Sequence, residues 1–262
     1  MIDPRTRKLA FLALLSVFPL SVIAQSGSFI VSQHGHSVGT ATVTFAGSPA
    51  GLDTTTVIKV SMQGLNYNLS KTEQLSSANH LKHAQLSATV NNSAVNVTAA
   101  IDAAQFLLNT SANGQSTTNR LPLHPNAVLL PDFDPGALDT LLALAAAHNN
   151  AGIWAIIPKQ NGSESPVTLA TYADEQGTLD TQPITVHHIV ATIAGAKTDL
   201  FSGPENHLLQ AELPQNGFAL VRNGFVLTPP VKAGAPPTPP PAAPAPAPAT
   251  PPSAPPAAPI QK

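Results

Sequence analysis

Cysteine is absent from all 262 residues, so no disulfide staples the fold and no thiol serves as nucleophile or metal ligand. A domain of this length must therefore be held by its core alone, which is feasible at about 200 residues. Charge is scarce, at 10% of the chain, and positive charge is scarcer still where it would matter. Residues 25–228 keep seven Lys and Arg against thirteen Asp and Glu, a difference of 7 − 13 = −6. Nucleic acid is excluded as a partner, because binding it requires a basic surface to neutralise phosphate. Docking on anionic lipid surfaces is disfavoured for the same reason. Long apolar runs are missing beyond the N-terminus, the longest being the alanine-rich stretch Leu141 to Ala147.

Sequence motifs for chemistry are missing too. There is no Gly-x-Ser-x-Gly elbow, no Ser-x-x-Lys pair, no phosphate-cradling glycine loop and no His-Glu-x-x-His helix. No cofactor is implied. Histidines are the nearest thing to a metal motif. His34 and His36 would share one face if they lay on one strand, but Gly35 between them reads as a turn that splays them. His80 and His83 precede a strand, and His187 and His188 fall on opposite strand faces. The expectation is no metal site. Asp132 and Asp134 flank Phe133 just before a helix, where acids are favoured by the helix dipole. Asp174 and Glu175, with Gly177, read as an exposed turn. Five Asn-x-Ser/Thr sequons occur, at Asn68, Asn91, Asn96, Asn109 and Asn161, as expected by chance in a chain rich in these residues.

What is present begins with an export signal. Arg5, Arg7 and Lys8 precede an apolar run from Leu9 to Leu20, followed by Ser21-Val22-Ile23-Ala24. Val22 and Ala24 occupy the −3 and −1 positions of a cleavage site, making Gln25 the new N-terminus. The apolar run is too short for a hydrocarbon core of about 30 Å, which needs roughly 20 residues. Residues 1–24 are thus read as a cleaved signal peptide, and the mature chain as extracytoplasmic, periplasmic or secreted, with no transmembrane segment.

Alternation of β-branched and polar residues then dominates. Ser28 to Ser32 and Val38 to Phe45 read as strands around the His34-Gly35-His36 turn, followed by Thr54 to Met62, Tyr67 to Leu75, His83 to Val90, Ala94 to Ile101, Gln105 to Asn109 and Ser116 to Leu121. One helix interrupts the rhythm over about 135–148. Asp134 is its N-cap, Pro135 sits at N1, and Leu138, Leu141, Leu142 and Ala145 fall on one stripe. Strands resume at Ile153 to Ile157, Val167 to Tyr172, Ile184 to Ile193, Leu208 to Leu213 and Phe218 to Arg222. Fifteen of the 27 prolines lie in residues 229–262, a Pro/Ala-rich tail that cannot bury a core and is expected to be disordered and extended.

Three stretches carry a resemblance. The opening Phe29 with Gly35-His36-Ser37-Val38-Gly39-Thr40-Ala41-Thr42, the central Asp134-Pro135-Gly136-Ala137-Leu138 helix, and the closing Leu208 to Pro214 and Phe218 to Arg222 strands resemble bacterial exported domains of unknown function. Those domains are thought to share the open half-barrel of lipoprotein-carrier (LolA/LolB-like) proteins. The resemblance implies a curved antiparallel sheet wrapping helical structure and sheltering acyl chains.

The resulting expectation is a mainly β fold, a curved antiparallel sheet or half-barrel with one packed helix. Its leading function is non-catalytic binding or carriage of an apolar or lipid-like envelope ligand. Phe29, Phe45, Met62, Phe106, Leu138, Leu142 and Trp154 are the candidates to line the site. Two other classes stay open: an envelope scaffold acting through the Pro-rich tail, and a metal-dependent hydrolase using His34, His36 and a distant acid.

Overall fold

A computed structural model describes residues 25–159 and 162–229. The signal peptide, the sequon at Asn161 and the tail from residue 230 lie outside the described residues. Strands run over Gln25–Gln33 (β1), His36–Ser48 (β2), Gly51–Met62 (β3), Leu65–Leu75 (β4), Leu81–Val90 (β5), Ser93–Asp102 (β6), Gln105–Ala112 (β7), Gln115–Pro122 (β8) and Ala127–Leu129 (β9). After the helix Pro135–Ala147 (α1) come Trp154–Ile157 (β10), Ser163–Thr171 (β11), Glu175–Leu179 (β12), Gln182–Ile193 (β13), Ala196–Ser202 (β14), Leu208–Leu213 (β15), Phe218–Arg222 (β16) and Phe225–Leu227 (β17).

Each strand from β1 to β8 pairs antiparallel with the next. Strand β1 also pairs with β16, Phe29 facing Arg222 and Gln33 facing Phe218, which ties the two halves of the chain together. From β16 the sheet continues through β15, β14, β13 and β11 to β10. Among the described residues only β10 and β9 pair in parallel. The result is the expected curved, mainly antiparallel β fold with one helix. Near β8 and β11, Asn119 Nδ2 donates to Gly162 O at 2.8 Å, and His124 Nε2 lies 3.3 Å from Glu164.

The hairpin turns follow from residues that tolerate positive φ. His34 and Gly35 (49° and 81°), Asn91 and Asn92 (49° and 70°), and Asn113 and Gly114 (51° and 74°) make two-residue turns whose twist suits the flanking strands. His34 thus lies in the turn and His36 opens β2. Four short elements escape the reading by alternation. β9 has three residues, β14 and β17 follow tight turns, and β12 occupies the stretch read as an exposed Asp174-Glu175 turn. The last is a correction. Gly177 is buried there because β12 is gripped on both edges, by β13 and β17, and packs on Phe225.

Helix α1 starts as expected, with Asp134 Oδ1 accepting from the N–H groups of Gly136 (2.9 Å) and Ala137 (3.1 Å). It ends one residue earlier than expected, with His148 as C-cap. A single apolar stripe is not what it presents. Residues 135–142, Leu144 and Ala145 are all buried, because the curved sheet surrounds the helix: it packs on β2, β3, β9 and β15. A Cβ on Gly136 would sit 2.6 Å from Thr56 Oγ1 and 3.0 Å from Val43, so glycine lets the first turn lie directly on the sheet. No helix among the described residues is long and apolar enough to cross a membrane.

Candidate apolar binding cavity

The strand period sets which side chains face inward. On β4 these are Leu65, Tyr67, Leu69, Lys71, Glu73 and Leu75, every second residue. The register carries three of them across four strands. Leu69 aligns with Ala88, Val95 and Ala112; Lys71 with Leu86, Val97 and Thr110; Glu73 with Ala84, Ala99 and Leu108. Beyond Leu69 the first row is made of small side chains, and helix α1 packs on β2, β3, β9 and β15 instead. Space is therefore left over β4–β7 at the end of the domain that carries the β3–β4 turn.

That space is a cavity of about 640 Å³, within the usual range for small-molecule sites. Leu69, Leu86, Ala88, Val95 and Val97 line the sheet side, and Leu213 and Phe218 face them from the β15–β16 hairpin. The segment Pro131–Phe133 forms a third wall. Phe133 holds a left-handed backbone (φ 58°), which is rare for a bulky residue. Its ring meets Tyr67 edge-on at 6.1 Å and Phe218 at 4.8 Å. Charge enters only at the rim, where Lys159 Nζ pairs with Asp132 at 2.5 Å, both partly in solvent. Burial, with smaller effects from Asp132 and Asp134, pushes the Tyr67 hydroxyl well above its ordinary pKa, so it remains a neutral hydrogen-bonding group.

Beyond the cavity, further along β4, lies a fully buried charge cluster. Lys71 Nζ pairs with Glu73 at 2.9 Å and with Asp134 Oδ2, and Thr54 Oγ1 donates to Glu73 at 3.2 Å. Burial alone would lower the Lys71 pKa, but the carboxylates of Asp134 and Glu73 outweigh it and hold the ammonium charged. Glu73 is pushed up by burial, opposed by Lys71 and reinforced by the nearby Asp134 charge. Asp134 thus caps α1 with one oxygen and anchors the Pro131–Asp134 wall to β4 with the other.

The residues named from sequence are scattered. Met62 lines the cavity. Phe29, Phe106, Leu138 and Leu142 lie in the packed core instead. Phe45 lines a smaller pocket near the β2–β3 turn. Trp154 stacks face to face on His124 at 3.8 Å. Sequence reasoning passed over Tyr67, Leu69, Ala88, Val95 and Phe218, although the alternation of β4 marks the first two as inward. Among the histidines, His80 stacks on His148, His187 pairs with Asp174 at 2.9 Å, and His188 lies between Tyr172 and Phe201 with Asp199 at 2.9 Å. Among the described residues no three His, Asp or Glu are arranged to hold a metal ion.

One titratable contact ties α1 to the sheet. Asp139 Oδ1 accepts from Leu208 N–H at 2.6 Å and lies 3.7 Å from His207 Nδ1. Burial pushes the Asp139 carboxyl up, against the pull of His207 and the Leu208 N–H. Asp139 in turn raises the His207 pKa, with burial and Arg222 opposing and Glu205 adding. A group whose pKa is higher in the folded state stabilises it below the unfolded value, about 6.5 for histidine. That contribution is lost as pH rises through the folded value. Urea midpoints should therefore fall from pH 6 to pH 8.5, and His207→Gln should flatten that decline; an unchanged slope in the variant would show that His207 is not its source.

No protein-family model matches the chain, and no curated protein matches it. Among solved structures it is similar to a β-barrel-like protein of a domain of unknown function, DUF1849, from Brucella abortus. The match has a TM-score of 0.54 at 10% identity and covers 79% of this chain and 99% of that one. At that identity the likeness establishes the fold alone: this chain carries a β-barrel-like domain.

Proposed function

We propose that this protein is an exported, non-catalytic binding or carrier protein of the cell envelope, and that the cavity over β4–β7 takes an apolar or lipid-like ligand. The observation that carries the reading is the cavity itself: about 640 Å³ walled by aliphatic and aromatic side chains, with charge confined to the rim. Its volume equals that of roughly twenty water-sized groups, room for one long aliphatic chain. Met62, Tyr67, Leu69, Val97, Phe133 and Phe218 are its principal contacts. The resemblance to lipoprotein-carrier half-barrels supports the same ligand class, and the signal peptide supports an envelope location.

Native mass spectrometry of the exported protein, purified without detergent, tests this directly. The expected result is a co-purifying mass that organic extraction identifies as a lipid or other aliphatic compound. An empty cavity that also fails to take up a fluorescent aliphatic probe would overturn the proposal.

A further inference from the structure

One pleat in from the mouth of the apolar cavity, its wall changes character. At the mouth Leu65 of β4 faces Met62 of β3. The next inward residue of β4 is Tyr67, set between Val60 on β3 and Val90 on β5. Deeper still, Leu69, Leu86, Val95 and Val97 continue the wall with aliphatic side chains.

The polar side chains in the lining are Tyr67, Thr110, Asp132, Lys159 and Asn216. Thr110 Oγ1 is closed off in the packing, and Asn216 is exposed at the surface. Asp132 and Lys159 are partly in solvent and paired with each other, so their charges cancel at the rim. That leaves Tyr67. Only 8% of it is exposed, and Phe133 braces its ring edge-on at 6.1 Å. No described residue hydrogen-bonds its hydroxyl, and that oxygen, unlike the one on Thr110, is not closed off in the packing. A donor held in such surroundings carries a desolvation penalty, which an acceptor on a ligand relieves.

We propose that the cavity selects aliphatic ligands whose head is uncharged and accepts a hydrogen bond, as an ester does, with the Tyr67 hydroxyl as donor and the tail running inward over Leu69, Leu86 and Val97. This rests on the reading of the cavity as the apolar binding site and names the ligand class within it. A carboxylate head is disfavoured there, because Asp132 and Asp134 lie close enough to oppose negative charge on the Tyr67 oxygen itself. An ammonium head finds Asp132 already taken by Lys159 and Asp134 by Lys71. An ester needs one donor and brings no charge.

The test is displacement of a fluorescent aliphatic probe from the full exported chain at pH 8. The competitors are methyl dodecanoate, dodecanoate, dodecylammonium and dodecane, all below their micelle concentrations. Methyl dodecanoate should bind more tightly than either charged competitor. Tyr67→Phe should weaken the ester about fivefold, the usual worth of one hydrogen bond, and leave dodecane unchanged. Phenylalanine keeps the ring against Phe133, and thermal melts check the fold; the order of affinities in the parent decides the matter should the variant not fold. Two results would overturn the head-group assignment and leave the apolar site standing: a charged competitor that binds as tightly as the ester, or a folded Tyr67→Phe protein in which ester and dodecane change equally. Displacement by none of the four would overturn the apolar site and this assignment together.

Discussion

Replacing Lys71 with methionine should destabilise the domain by about 3–5 kcal/mol, the usual cost of removing one partner of a buried ion pair. Methionine fills much the same volume, so the loss is electrostatic. Asp134 and Glu73, both within 3% of full burial, would be left facing each other without their shared cation. The variant must then protonate a carboxyl to fold, so its stability should recover at low pH. Asp134→Asn in the same background should restore part of the loss at neutral pH, because asparagine still caps α1. Urea unfolding of the single and double variants at pH 5 and pH 7.5 measures both effects. A Lys71→Met protein as stable as the parent at pH 7.5 would mean the cluster contributes nothing to holding α1.

Ala88→Trp should abolish binding of an aliphatic probe to the apolar cavity while the protein stays folded. Ala88 lies in the row of small side chains, flanked by Leu69 and Val95 on neighbouring strands. An indole there projects into the open volume instead of into packed core, so the overpacking penalty of about 1–3 kcal/mol is largely avoided. Affinity should drop at least tenfold, equivalent to about 1.4 kcal/mol. Lys159→Gln, which alters only the exposed rim pair, should change affinity by far less. Fluorescence titration with matched thermal melts separates the cases. Undiminished binding in a folded Ala88→Trp protein would place the ligand elsewhere.

Much of the fold is legible in the sequence alone. Two-residue periods with β-branched residues marked most strands, because a half-buried strand must alternate. Asn and Gly pairs marked the turns, because only such residues accept successive positive φ at little cost. Asp134-Pro135 marked the helix start to the residue. Strand β12 was misread for a physical reason: an acidic, glycine-containing stretch looks like a turn unless two neighbouring strands grip it.

The sites were less legible. The β4 alternation put Lys71 and Glu73 in phase with Tyr67 and Leu69, a sign of buried charge readable from the chain alone. Their partner, Asp134, is some sixty residues away and reads by itself as an ordinary helix cap. The cavity arises because the pairing of four strands brings Ala88, Val95 and Ala112 into one row beside Leu69, and no single strand's pattern records that sum. Asp139 looked like one more position on a helix and became a buried carboxylate only when the loop before β15 closed over it. Local backbone preference thus determined the elements and their ends, since it acts within a few residues. Which side chains share a space, and whether a charge there finds a partner, was decided by strand register and helix docking, contacts that exist only once the whole sheet has curved around α1.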